Sequence, residues 1–199
     1  MQIRVIAACC VLSLSSLAAP AQMGADAKMG PQAGKIVTPA KALDSELSLI
    51  ESEMMGTVKA MPSEKFGFAP SAAIFVPTQK TEFATVRTFA QQATHVAQAN
   101  YFLFELMSGL KPDVDVKAIE SLTSKDDVVA ALAASFAYGH KAIASLTVAN
   151  AFEVIKTPEP GLQTRSTFAG FAVSHCNDHY GQMIEYLRMN GLVPPASAR

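Results

Sequence analysis

His175 and His179 stand four residues apart in the run Ser174-His175-Cys176-Asn177-Asp178-His179. On a helix that spacing puts both imidazoles on one face, with their β-carbons about 5–6 Å apart. Two rings so placed can converge on one cation at the roughly 2.0–2.1 Å that Zn–N bonds require. Phe168, Ala172 and Met183 fall on the same face, so the pair points at a core rather than at water. Buried ring N–H groups without partners cost free energy, and a metal or a polar network must satisfy them. Asp178, three residues after His175, or Gln182, three after His179, could receive an imidazole N–H and fix its tautomer. Ordinary solvated roles are open to both. Cys176 lies about 100° around the helix from His175 and reads as a small buried residue rather than a nucleophile.

Two ligands do not complete a site, and His95 is the natural third. Its neighbours three and four residues away are Gln91, Gln92, Gln98 and Ala99. That polar stripe either lines a wet pocket or faces solvent, and periodicity does not choose. His140 falls on an apolar stripe of its own. It could support the pair from a neighbouring helix, or be a core histidine satisfied by other partners.

These residues need elements to position them, and four amphipathic segments supply them. The first opens with Thr38 as N-cap and Pro39 at the first helical position. Leu43, Leu47, Ile50, Met54 and Val58 then repeat at helical spacing. The methionines of this segment, Met54, Met55 and Met61, read as core packing. Pro62 stops it. Residues 62–84, with three prolines and a glycine, read as a long loop. Phe66, Phe68, Ile74 and Phe75 should pack that loop against the body. The second helix should start after Thr85 and run to Ser108-Gly109, with Val86, Ala90, Ala93, Ala97, Tyr101 and Phe104 as its stripe. The third starts at Ser124, with Asp126 and Asp127 in its first turn. Val129, Leu132, Phe136, His140 and Ile143 form its stripe, and Gly139 weakens it. The fourth starts near Ser166 and is ended by Asn190-Gly191 and Pro194-Pro195. Nothing reads as a strand. The expected fold is therefore all-α, a four-helix bundle.

The ends and the composition set limits. Met1 to Arg4 is a short positive start, Val5 to Leu17 is apolar, and Ala19-Pro20-Ala21 offers a cleavage site. We read residues 1–21 as a signal peptide, 22–37 as a flexible tether and 38–199 as the domain. The protein should be exported, periplasmic or secreted, with no membrane attachment after signal removal. Lipidation at Cys9 or Cys10 is disfavoured, because the apolar run before Cys9 is too short. Only Cys176 then remains, so no intramolecular disulfide can form. The formal net charge is -1, and no basic run appears that would suit nucleic acid.

The segment Val86-Arg87-Thr88-Phe89-Ala90-Gln91-Gln92-Ala93-Thr94-His95-Val96-Ala97 resembles the second helix of the DinB family. Ser174 to Gln182, continuing through Tyr186-Leu187-Arg188-Met189-Asn190-Gly191, resembles its last helix, and Ala60 to Phe66 its exit from helix one. The similarity spans residues 40 to 195. It implies a long crossover connection in the bundle and a homodimer. It also implies one divalent transition metal held by His95, His175 and His179. Three neutral imidazoles leave coordination positions open for activating water or polarising a carbonyl, and Zn, Ni and Fe all accept such ligands. Two functions follow. One is a metal-dependent enzyme of hydrolase or thiol-dependent transferase type on an unknown small molecule, its catalytic residues unassigned. The other is a non-catalytic envelope protein in which the ion staples the bundle.

Overall fold

The computed structural model describes residues 33–71, 74, 76, 78, 79, 86–158, 161 and 163–198. The chain divides into residues 1–35 and 36–199. The expected signal peptide, and the expected tether up to residue 32, lie outside the described residues.

Four helices dominate the second unit: α1 (Pro39–Ala60), α2 (Phe89–Ser108), α3 (Lys125–Ile143) and α4 (Arg165–Met189). Among the described residues, extended pairing is limited to one antiparallel bridge, Val154 to Thr164. The helix α2 packs against α3 and α4, and α1 packs against the same two. Sequence neighbours α1 and α2 therefore lie across the bundle from each other, which is why a long crossover must join them. Each helix contributes its apolar stripe to one core, with Leu47, Met54, Phe104, Leu132, Phe168 and Met183 fully enclosed.

The helix starts show why the chain folds locally as it does. Thr38 accepts a hydrogen bond from the Lys41 N–H, with Pro39 behind it. Thr88 and Gln91 form a reciprocal box: the hydroxyl accepts from Gln91 N–H while the amide oxygen accepts from Thr88 N–H. This box starts α2 at Phe89, so Val86 precedes the helix rather than opening it. The Phe68 and Phe66 carbonyls accept from the N–H groups of Phe89 and Ala90 at 2.8 and 2.9 Å. The exit from α1 thus satisfies two otherwise free donors at the start of α2. Phe66 is buried edge-on to Phe89, and Phe68 packs against Tyr186. The expected packing of the loop stops there: Ile74 is exposed, and Phe75 lies outside the described residues. At the other end Gly109, with φ 77°, closes α2 by returning its N–H to the Glu105 carbonyl.

The buried face of α3 is turned slightly from the expected stripe. Val128, Leu132, Phe136, Gly139 and Ile143 are buried, while Val129 and His140 lie at the edge. Gly139 is the reason. A β-carbon there would sit 2.6 Å from Phe104 Cε2 and 3.1 Å from Leu47 Cδ2. This glycine is no weak spot, because it admits α2 and α1 to close contact with α3.

Two contacts fix α4 against α2. At one end the Arg165 guanidinium donates to the Met107 carbonyl at 2.6 Å. At the other the Tyr186 hydroxyl donates to the Arg87 carbonyl at 3.0 Å. The helices are therefore antiparallel, and this pinning brings residue 95 level with residue 178, between the two histidines of α4.

Candidate metal centre

The register delivers three imidazoles to one point. His175 Nε2 lies 3.2 Å from His95 Nε2 and 3.2 Å from His179 Nε2. A single ligand atom from each ring can be chosen so that all three lie within 4.8 Å of one another. Four-coordinate geometry at Zn–N distances of about 2.0–2.1 Å requires nitrogen separations of about 3.3 Å. The spacing fits. It brings His95 in from the polar side of α2, whose stripe divides: Gln92 is buried, while the exposed Gln91 and half-buried Gln98 line a cavity with His95.

A hydrogen-bond chain sets the protonation of His179. His179 Nδ1 faces Gln92 Oε1 at 2.6 Å, Gln92 Nε2 donates to Gln182 Oε1 at 2.8 Å, and Gln182 Nε2 donates to Asp178 Oδ2 at 3.1 Å. An ionised carboxylate only accepts. Asp178 therefore requires the NH₂ of Gln182, whose oxygen requires the NH₂ of Gln92, whose oxygen requires a proton on His179 Nδ1. His179 Nε2 is left as a bare lone pair aimed at the common point. Such outer partners orient a ligating histidine and raise its basicity.

The electrostatics agree. Burial, the other histidines and Arg87 push His179 down to about 4, against the opposing charge of Asp178. Burial, Arg87 and His175 push His95 down to about 4. His175 is lowered too, chiefly by burial, with Asp178 opposing and Arg87 assisting. At neutral pH all three rings are neutral, the state that ligates a metal. His175 Nε2 carries at most one proton and so can satisfy at most one of the two nitrogens facing it. Its own Nδ1 is buried with no hydrogen-bond partner among the described residues. Neutral nitrogens crowded in this way favour a cation between them, so the three histidines could hold a metal ion.

The other expected site residues are placed differently. Asp178 and Gln182 touch no imidazole directly but act in series through Gln92. Gln92 was missed as a partner. Its signal was a buried-capable amide three residues before His95, on the same face. His140 is not near the triad's nitrogens: Nδ1 reaches Asp44 at 2.6 Å and Nε2 reaches Glu51 at 3.0 Å, both on α1. Cys176 is buried and donates its S–H to Asn100 Oδ1 at 3.3 Å. Burial pushes its thiol up to about 12. A cavity of about 490 Å³ borders His95, lined also by Arg87 and Gln98, within the range of small-molecule sites.

Comparisons with known proteins bear on the whole arrangement. No curated protein matches the chain. The fold is similar to the crystal structure of a DinB-like protein from Bacillus cereus ATCC 10987. The two share 17% identity at a TM-score of 0.63, covering 78% of this chain and 95% of that one. The family model of the DinB superfamily matches residues 46–183, which holds α2, α3, α1 from Glu46 onward, and α4 through both of its histidines. The chain belongs to the DinB superfamily.

Proposed function

We propose that His95, His175 and His179 hold one divalent transition-metal ion, and that the protein is an exported metal-dependent enzyme acting on a small molecule. The observation that carries this is the pair of 3.2 Å contacts joining Nε2 atoms from two helices. Zn, Ni and Fe all suit three imidazoles. When bound, the ion would supply Lewis acidity beside the cavity that His95 borders. The chain's own residues do the rest. The Asp178–Gln182–Gln92 series holds the His179 proton on Nδ1. Cavity residues bind and orient the substrate.

A second reading is the non-catalytic staple joining α2 to α4. It is favoured by the ligand group drawing on both helices, His95 from α2 and His175 and His179 from α4. Metal analysis of the dialysed protein, with His95→Ala and His179→Ala beside it, tests both. Stoichiometric metal lost in either variant supports the site, and no metal in the wild type retires it. X-ray absorption then separates the two: an exchangeable non-protein ligand supports the enzyme, a closed sphere the staple. Turnover panels of esters, amides and thiol conjugates, with and without chelator, define the reaction.

Export rests on the signal pattern of residues 1–21, and N-terminal sequencing should find Gln22 first. No helix among the described residues is long and apolar enough to cross a membrane. The net charge of -1 offers no attraction for nucleic acid. Pairing with a second copy is tested by sedimentation.

A further inference from the structure

Asn100, on α2, is a fully enclosed amide that joins three helices. Its Nδ2 donates to Ser135 Oγ on α3 at 3.1 Å, and its Oδ1 accepts from the Cys176 thiol on α4 at 3.3 Å. Ser135 and Cys176 are enclosed to the same degree, and the Ser135 hydroxyl donates to the Leu132 carbonyl at 2.8 Å. One helical turn from these three residues stand Ala97, Phe104, Leu132 and Ala172, all buried and apolar. Replacing both partners of a buried hydrogen bond by apolar groups of the same shape costs little stability, whereas leaving one partner stranded is costly. The series therefore adds little to the observed arrangement over an apolar core. It weighs instead against any arrangement that parts its members, because Asn100 Oδ1 has no second donor among the described residues.

Its place along the helices gives that penalty a use. Near its ends α4 is held on α2 by Arg165 and by Tyr186. Cys176 lies midway between them, about 16 Å along the helix from each, where α4 is free to curve or turn between those holds. It is also the residue after His175, whose Nε2 faces the other two imidazoles. Sliding or turning α4 at this level would carry His175 Nε2 away from the common point and the thiol away from the amide oxygen together. We infer that Asn100 is a positioning residue of the metal centre, the Ser135–Asn100–Cys176 series fixing the middle of α4 so that His175 meets His95 and His179. Asn100 is not itself a ligand, since its hydrogen bonds run to Ser135 and Cys176. The inference deepens the metal reading above and rests on it for what the three rings hold.

The test replaces Asn100 by leucine, whose branching is the same. No strong donor is stranded, because Ser135 keeps the Leu132 carbonyl and a thiol donates weakly. Asn100→Ala removes the amide without leucine's bulk, and Cys176→Ser keeps a donor for the amide oxygen as the conservative control. Circular dichroism and urea midpoints follow the fold, competition with a chromophoric chelator gives Zn²⁺ affinity, and ¹⁵N imidazole spectra of the metal-free protein report the rings. In the folded Asn100 variants the His175 signals should shift or double and Zn²⁺ affinity should fall about tenfold, the lower end of what lost outer support costs a metal site. Cys176→Ser should match wild type in both. His175 signals at their wild-type positions, affinity within about twofold of wild type, a Cys176→Ser variant that behaves like Asn100→Leu, or loss of the fold in both Asn100 variants overturns the proposal; the last would assign the amide to stability alone. Wild-type protein without metal sinks the metal centre, and the metal-free spectra still decide the positioning. Stoichiometric metal with unchanged variants sinks only the role of Asn100.

Discussion

Replacing Gln92 by Leu keeps the volume of a buried side chain and removes the acceptor 2.6 Å from His179 Nδ1. In the metal-free variant the His179 proton can move to Nε2 and face His175 Nε2, 3.2 Å away. Binding an ion needs that nitrogen bare, so the proton must return to Nδ1 against leucine. An unpaired buried N–H costs about 1–3 kcal/mol. At about 1.4 kcal/mol per factor of ten, Zn²⁺ affinity should fall about five- to 150-fold. Losses of about 10–100-fold are usual when the outer partner of a ligating histidine is removed. Stability of the metal-free protein should change less, because the released Gln182 amide is exposed. Asp178→Asn is the milder form: it keeps the series but lets its direction invert, and should cost less affinity than Gln92→Leu. Competition with a chromophoric chelator at fixed pH measures the affinity, and two-bond ¹⁵N imidazole spectra read the tautomer. Affinity within about twofold of wild type, or a wild-type His179 carrying its proton on Nε2, refutes the reasoning.

Gly139→Ala should destabilise the fold by about 1–2 kcal/mol in urea titrations. The 2.6 Å approach to the enclosed Phe104 ring brings an overpacking cost of about 1–3 kcal/mol, which up to ~1 kcal/mol of helix propensity only partly offsets. His140 should make stability pH-dependent. Burial alone would lower its pKa, but hydrogen bonds and charge from Asp44 and Glu51 raise it. Its contribution, about 1 kcal/mol or less for so exposed a pair, is full below about pH 6.5 and is lost as pH rises through the raised value. Denaturant midpoints of wild type and His140→Gln should therefore converge at high pH and separate at low pH. Cys176 should resist thiol reagents in the native protein at neutral pH and react on unfolding, because its thiol is held near 12 in a closed site; rapid native labelling would contradict this.

Much of this architecture was legible in the residues. The Thr38-Pro39 and Ser124 starts, the Gly109 stop and the four apolar stripes are local signals, and local chemistry made those elements. The i, i+4 spacing of His175 and His179 was legible for the same reason. His95 was not, because its orientation depends on where α4 lies along α2. That register is set by Arg165 on the Met107 carbonyl and Tyr186 on the Arg87 carbonyl, bonds between residues far apart in sequence. Asp178 and Gln182 stood open as either direct partners of the imidazoles or solvated residues, because spacing along one helix shows only that helix's neighbours. The ring nitrogen of His179 faces α2, where Gln92 waits. Within the α3 stripe Leu132, Phe136 and Ile143 are buried as expected, but Val128 and Gly139 take the places of Val129 and His140, because periodicity treats His140 as inward and Gly139 as a defect. Two acidic residues seven apart on α1, Asp44 and Glu51, were the clue that His140 belonged to a polar edge. The 3-10 helix Val116–Ser121 is too short to show a period, yet it carries Glu120 to the cavity.

The division of the three histidines between α2 and the last helix has a consequence for timing during synthesis. A chain made only through α3 owns His95 but neither of the other two nitrogens, and it lacks the helix whose Tyr186 and Arg165 hold α2 in register. The ion proposed here could not be captured piecemeal as the polypeptide emerges. Occupancy would report that the last helix had been made and docked, so a truncated or stalled product would stay empty however much metal surrounded it.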